Sequence, residues 1–265
     1  MTVTSFHYVV APSGVATITF SRPDTLNSLT FQVYRELTDL FAALQDDGAV
    51  KAVVLTGQGR AFCSGGDVNT IIGELLRYDA PQLLAFTRMT GELIANIRRL
   101  RKPVVAAVNG TAAGAGAVIA LACDFRVLAE KAKLAFLFVK VGLAGADMGA
   151  SWLLPRVIGM ARATELLMLG EPILAADCLR VGLANEVVPA DDVLPRATAL
   201  AERLARGPRF ALGMTKVLLD QEQALSLEQG IEAEAQAQQI CMQTRDFREA
   251  HAAFVEKREP RFEGR

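Results

Sequence analysis

The sequence predicts an α/β fold built on parallel strands, with a helical region at its C-terminal end. Three observations predict it. Up to about residue 195, short apolar strand-like segments alternate with amphipathic helical ones. Two of those strands run into glycine-rich turns, "GQGRAFCSGGDV" at 57–68 and "NGTAAGAGAVIA" at 109–120. Beyond Pro195 nearly every residue is a helix former.

Taken in order, "HYVVAPSGVATITFS" reads as a hairpin, with Ser13 and Gly14 at the turn and β-branched residues on both sides. "SLTFQVYRELTDLFAALQDD" carries Leu29, Val33, Leu37, Leu40 and Leu44 at helical spacing. "KAVVLTG" is a short buried strand closed by glycine. "PQLLAFTRMTGELIANIRRLRK" is a second amphipathic helix, ended by Pro103. "PVVAAVNG" is a strand, "AVIALACD" a buried helix, and "FRVLAE" a strand again. "RATALAERLARG", the long run from Phe210 to Gln243 and "DFREAHAAFVEKR" complete the helical part. The expected division is a core over 1–195 and a helical, oligomer-forming region over 196–265.

Bulk properties exclude several functions. The 265 residues suffice for a substantial core without staples. A net charge of −1 provides no basic footprint for nucleic acid. Cys63, Cys123, Cys178 and Cys241 form neither a C-x-x-C pair nor a disulfide framework, so reduced thiols in a cytoplasmic protein are expected, with no metal site. No signal-peptide pattern and no apolar run long enough for a bilayer is visible.

Two glycine turns that lead from strand to helix can point backbone N–H groups at an anion. A tight turn that only glycine fits explains either one alone. A dinucleotide site is excluded, because Gly114 and Gly116 are followed by Ile119 where a third glycine is required. Asp147, in "VGLAGADMGASWLLPR", has no charged neighbour before Arg156. An isolated ionised carboxylate is costly to bury. Asp147 therefore reads either as the N-cap of a helix entered at Met148 or as a group that does chemistry in a dry pocket. Asp67 reads as a helix cap, and Glu74, Glu92 and Glu165 as solvated helix residues. Cys63 and Ser64 have no histidine near them in sequence, His7 and His251 lying near opposite ends.

"RAFCSGGD", "KPVVAAVNGTAAGAGAVIALACDFRV" and "VGLAGADMGASWLLPRVIGMARATELLMLGEPI" resemble the crotonase (enoyl-CoA hydratase/isomerase) superfamily, as do "SRPDTLNSL" and "FVEKREPRF". The resemblance runs in order over nearly the whole chain. It implies a spiral of ββα turns with a helical C-terminal region, assembled as a homotrimer or dimer of trimers. It implies an acyl-CoA thioester as substrate, with no cofactor beyond the CoA of that substrate. It places an oxyanion hole at the N–H groups of Gly66 and Ala115. Paired donors hold an enolate oxygen more tightly than a neutral carbonyl, which lowers the barrier. Ser64, Gly65, Asp67, Val68, Met148 and Trp152 are the implied substrate-lining residues. Arg22 and Lys257 are implied partners of the CoA phosphates, or else plain surface charges.

Hydratases of the superfamily carry two glutamates, and the matching positions here are Val118 and Phe138. Neither moves a proton, so ordinary hydratase chemistry is not expected. Some members instead place an aspartate where Asp147 stands, dienoyl-CoA and epoxyphenylacetyl-CoA isomerases and aromatic-acyl-CoA dehalogenases among them. The reading is an enoyl-CoA isomerase in which Asp147 removes and returns a proton, with Met148 and Trp152 as apolar neighbours that raise its pKa. The alternatives are a hydratase using Asp147 and water, a hydrolase or dehalogenase with Asp147 as nucleophile, and a non-catalytic acyl-CoA-binding relative.

Overall fold

The computed structural model describes residues 3–264. Strands β1 (Phe6–Val10) and β2 (Val15–Phe20) form the antiparallel hairpin, and Gly14 turns it at φ +84°. Helix α1 (Phe31–Ala43) follows, then β3 (Ala52–Gly57), β4 (Ala61–Cys63), the single turn α2 (Gly73–Leu75) and the long helix α3 (Ala80–Arg99). Next come β5 (Val104–Val108), β6 (Thr111–Ala113), α4 (Ala115–Ala122), β7 (Phe125–Ala129) and β8 (Lys133–Ala135). Helices α5 (Ala150–Ile158) and α6 (Met160–Leu169) precede β9 (Ile173–Leu174), α7 (Ala175–Arg180) and β10 (Glu186–Val188). Helices α8 (Val193–Ala205), α9 (Arg209–Gln221), α10 (Leu227–Gln243) and α11 (Arg245–Glu256) end the chain.

The strands deal themselves alternately into two sheets. One has the order β1-β2-β3-β5-β7-β10 and the other β4-β6-β8-β9. From β3 to β8, each odd strand joins the large sheet and the even strand after it joins the small one. Both ladders are parallel there. Each step is thus a ββα unit, and the chain winds as a spiral. The strands of the small sheet have two or three residues each, too few for a periodicity to show in the sequence.

The helix α4 lies inside this spiral and is buried on every side, as its all-apolar sequence requires. Its last carbonyls need partners where water cannot reach. Arg126 supplies them, donating to Leu121 O at 3.1 Å and to Cys123 O at 2.5 Å. The division expected at residue 195 falls inside α8, whose buried Val193, Ala197, Ala201 and Ala205 face the large sheet. A shared ion network ties α9 to the spiral. Asp124 accepts from Lys216 Nζ at 2.8 Å and from Arg98 at 3.3 Å, and Arg98 also pairs with Asp220. No described helix is long and apolar enough to cross a membrane.

Candidate active site

The two glycine turns meet. Gly65 adopts φ +94°, and a Cβ there would stand 2.9 Å from Ala113 O and 3.4 Å from Ala115 N. Only a residue without a side chain lets the first turn lie against the start of α4. Gly116, in the first turn of α4, has equally little room: a Cβ would collide with the Cys63 carbonyl. These contacts hold residues 64–66 against Ala115.

Each turn presents one spare donor. Leu29 forms a parallel bridge with Gly66, using its N–H on Gly65 O at 2.8 Å and its carbonyl on Asp67 N–H at 2.9 Å. That leaves the Gly66 N–H outside the ladder. Ala115 is the first residue of α4, where a helix never uses its own N–H. Among the described residues neither N–H donates to a backbone carbonyl. Two free N–H groups beside each other, one backed by a helix N-terminus, suit an oxygen that gains negative charge.

Leu29 corrects the sequence reading in one respect. It precedes α1, which starts at Phe31 behind the N-cap Thr30, and it serves as the strap on Gly66.

Asp147 is not a helix cap. Helix α5 begins three residues later behind Gly149, whose φ is +82°. The carboxylate instead accepts a single hydrogen bond, from the Met148 N–H at 2.9 Å. Burial raises its pKa above the ordinary aspartate value, and that one hydrogen bond only partly opposes the rise. Met148 is buried and sits at φ +49°, a conformation that costs a non-glycine residue free energy and clusters at functional sites. Gly145 lies too close to the Leu167 carbonyl to tolerate a Cβ, and Gly149 packs at 3.8 Å from Ile94 of α3 by the same measure. The loop is therefore pinned at both ends with Asp147 between them.

The other expected residues divide. Val118 is wholly buried and Phe138 is 7% exposed, so both hydratase-glutamate positions are core. Asp67 caps the helical turn at 68–72, accepting from the N–H groups of Asn69 and Thr70 at 3.1 and 3.0 Å. Those bonds, the Ser28 hydroxyl and Arg22 hold its carboxyl down to about 2. Arg22 turns inward, pairing with Asp67 at 3.2 Å and donating to Ser28 O at 2.7 Å, so its guanidinium is already engaged. Ser64 donates to Thr25 O, and Val68 is exposed beside the first turn. Trp152 is 41% exposed with the Arg156 guanidinium 4.0 Å above its ring. Lys257 is an exposed αL residue that ends α11. The Cys63 thiol is sealed in the core and pushed up to about 12 by burial, which makes it inert. Among the described residues no group of three metal-ligating side chains assembles.

Tyr34 escaped the sequence reading. It lies on the buried face of α1, 3% exposed, and its raised pKa comes from burial first, then from Cys63 and Asp147. The hydroxyl thus stands within electrostatic reach of both glycine turn and carboxylate. The available signal was a tyrosine set among Val33, Leu37 and Leu40.

An alternating two-sheet spiral whose two glycine turns pack together and leave two backbone N–H groups without a carbonyl partner is an arrangement suited to stabilising an oxyanion. The chain belongs to the enoyl-CoA hydratase/isomerase family, whose model matches residues 11–265. This family acts on acyl-CoA thioesters. The 1,2-epoxyphenylacetyl-CoA isomerase of Escherichia coli K12 is 36% identical over 95% of this chain and 96% of its own length. A "Probable enoyl-CoA hydratase" of Rhodobacter capsulatus is 40% identical over 95% of each chain. A crystal structure from Streptomyces coelicolor A3(2), provisionally named an enoyl-CoA hydratase, superposes with a TM-score of 0.97 at 48% identity. It covers 100% of this chain and 96% of that one.

Proposed function

We propose that the protein is an enoyl-CoA isomerase with Asp147 as its acid and base. The observation that carries this reading is the contrast between Asp147 and the two hydratase-glutamate positions. Asp147 is a half-buried carboxylate with a raised pKa and one hydrogen bond, whereas Val118 and Phe138 are apolar core. The thioester oxygen takes the N–H groups of Gly66 and Ala115 as negative charge develops. Asp147 removes a proton from the acyl chain, and the same carboxyl returns it at another carbon of the conjugated system. One group suffices because nothing is added or lost. A carboxyl shifted upward by burial is a stronger base than one in water, while remaining able to give the proton back.

The isomerase name of the E. coli relative supports this direction, and the hydratase name of the R. capsulatus relative supports the alternative, addition of water. The protein acts in the reading as a homotrimer or dimer of trimers. Exposed Leu227, Ile231, Ile240, Met242, Phe247, Phe254 and Val255 on α10 and α11 support that assembly, because such a surface disfavours a monomer.

Asp147→Asn tests the assignment. Turnover of enoyl-CoA thioesters and solvent-deuterium exchange into the acyl chain should fall by roughly 10²-fold or more, with binding by calorimetry retained. Wild-type exchange in the variant overturns it. Hydroxyacyl-CoA as the product points to hydration, and a trapped ester on Asp147 points to nucleophilic attack.

A further inference from the structure

The spacing of two backbone donors depends on where the strands that lead into them end. Strand β4 opens at Ala61 and runs on into Gly66, and β6 closes at Ala113 and runs on into Ala115. The two strands pair in parallel with an irregular register: Ala61 stands opposite Thr111, but Cys63 stands opposite Ala112. Phe62 is thus an extra residue, a bulge, and such an offset re-aims the chain beyond it. A slip of one residue along a strand moves a backbone group by about 3.3 Å. That is far more than a hydrogen bond tolerates. With three residues in each strand, few ladder bonds hold the offset.

Two asparagines meet at the Ala61 carbonyl. Asn27 Nδ2 donates to it at 2.8 Å and Asn109 Nδ2 at 3.2 Å. Both amides also bind the turn between β3 and β4. Asn27 Nδ2 donates to Gln58 O at 2.9 Å, and Asn109 Nδ2 donates to Gly59 O at 2.9 Å. Asn109 Oδ1 accepts from the Gly57 N–H at 3.2 Å, and Asn27 Oδ1 from the Arg22 N–H at 3.0 Å. Gly57 is packed so closely into this junction that a Cβ would collide with the Ala61 and Phe62 carbonyls. Asn27 belongs to the loop before α1, and Asn109 lies between β5 and β6. One amide therefore ties β4 to the loop, and the other ties it to the strand that leads to Ala115.

The loop reaches the first glycine turn again. Ser64 donates its N–H to Leu26 O at 3.0 Å and its hydroxyl to Thr25 O at 3.1 Å, just before the Leu29 bridge to Gly66. Leu26 and Asn27 are consecutive non-glycine residues at φ +55° and +58°. Such a backbone costs free energy and persists only where its surroundings over-determine it. Asn27 is 1% exposed, and its three hydrogen bonds supply that constraint.

We propose that Asn27 and Asn109 are positioning residues of the oxyanion hole. Holding the Ala61 carbonyl between them, they fix the offset of β4 against β6 and so the spacing of the Gly66 and Ala115 N–H groups. The proposal rests on the reading of those two N–H groups as the oxyanion hole.

The test is the infrared carbonyl stretch of hexanoyl-CoA, isotope-labelled at its thioester carbon and bound to the protein. Two well-placed donors polarise the carbonyl and lower its stretch relative to the free thioester. Asn109→Ala and Asn27→Gly each remove one amide, and glycine accepts the left-handed backbone at position 27. Each should lose about half or more of the shift, with hexanoyl-CoA affinity by calorimetry little changed. Solvent-deuterium exchange into the acyl chain should fall by roughly 10-fold in kcat and little in KM. Thr56→Val is the control: it deletes another buried hydrogen bond, from Thr56 Oγ1 to Ala107 O at 3.0 Å, without touching Ala61. It should lower the melting temperature and keep the shift. A full shift in folded Asn109→Ala overturns the proposal, as does an equal loss in Thr56→Val. Asn109 is only half-buried, so this arm stands even where Asn27→Gly does not fold. Wild-type protein that leaves hexanoyl-CoA unbound, or its stretch unshifted, overturns the oxyanion-hole reading itself, and this proposal with it.

Discussion

Two loops, at 64–70 and 142–149, each carry an aspartate, and they treat it in opposite ways. Asp67 is 7% exposed yet fully served: two backbone N–H groups, a hydroxyl and a guanidinium converge on it. Its proton is bound more weakly than in water. Asp147 keeps more surface but receives one N–H, from the residue beside it, and its proton is bound more tightly. Burial alone does not decide which carboxylate can work as a base. The number of donors that have already claimed it does. Asp67 is spent on fastening the first glycine turn, and Asp147 is left in reserve.

The largest expected effect breaks the pairing of the first loop with the start of α4, at the proposed oxyanion hole. Ala115→Pro removes one donor, and proline is accepted at the first position of a helix, where the N–H is not used by the helix itself. The rate constant kcat/KM should fall by roughly 10²- to 10³-fold with the melting temperature preserved. Ala115→Gly keeps the N–H and should keep the rate. A folded, fully active Ala115→Pro enzyme removes this residue from the site.

Next in size are the stabilities of the two aspartate variants. Asp67→Ala deletes a cap and strands the Arg22 guanidinium, which should cost about 1–3 kcal/mol in denaturant unfolding. Asp147→Asn should leave stability within ~0.5 kcal/mol or raise it, since it replaces a carboxylate that burial penalises. Equal losses at both positions erase the distinction between them.

The smallest effect sharpens the comparison through pH. Asp67 has a folded pKa of about 2 against 3.8 in the unfolded chain, so its stabilisation is present above pH 3.8 and is lost as pH falls toward 2. For Asp147 the sign reverses. A raised folded pKa destabilises the fold above that pKa, and the penalty disappears below 3.8, where both states are protonated. Relative to wild type, Asp67→Asn should therefore lose stability as pH rises from about 2 through 3.8, and Asp147→Asn should gain it as pH rises above 3.8. Unfolding midpoints measured across acid pH check both slopes, and parallel slopes contradict the assignment.

Much of this was legible in the chain itself. The hairpin, α1, α3, α4 and strands β3, β5 and β7 of the large sheet follow from apolar periodicity and turn residues, because each buries a face whose spacing is local. The glycine turns at 57–68 and 109–120 were visible as turns, and the isolation of Asp147 was visible as a deficit of nearby charge. Other features were not. Leu29 continues a helical stripe by spacing, yet it straps Gly66 across 37 positions of chain. Strands β4, β6, β8 and β9 are too short to leave a pattern and exist through one another's hydrogen bonds.

What the sequence determined by itself is the alternation of elements, the all-apolar character of α4 and the absence of proton-moving groups at Val118 and Phe138. What only the tertiary structure decided is which polar groups are claimed and which are free. Asp67 and Asp147 have equal claims to be helix caps on local grounds, and Tyr34 reads as one more apolar-face residue. Donor counts depend on partners distant in sequence, such as Arg22 and Ser28 for Asp67. Periodicity reports which side of an element is buried. It carries no information about what waits there to accept or donate a hydrogen bond, and that is what separates Asp67 from Asp147.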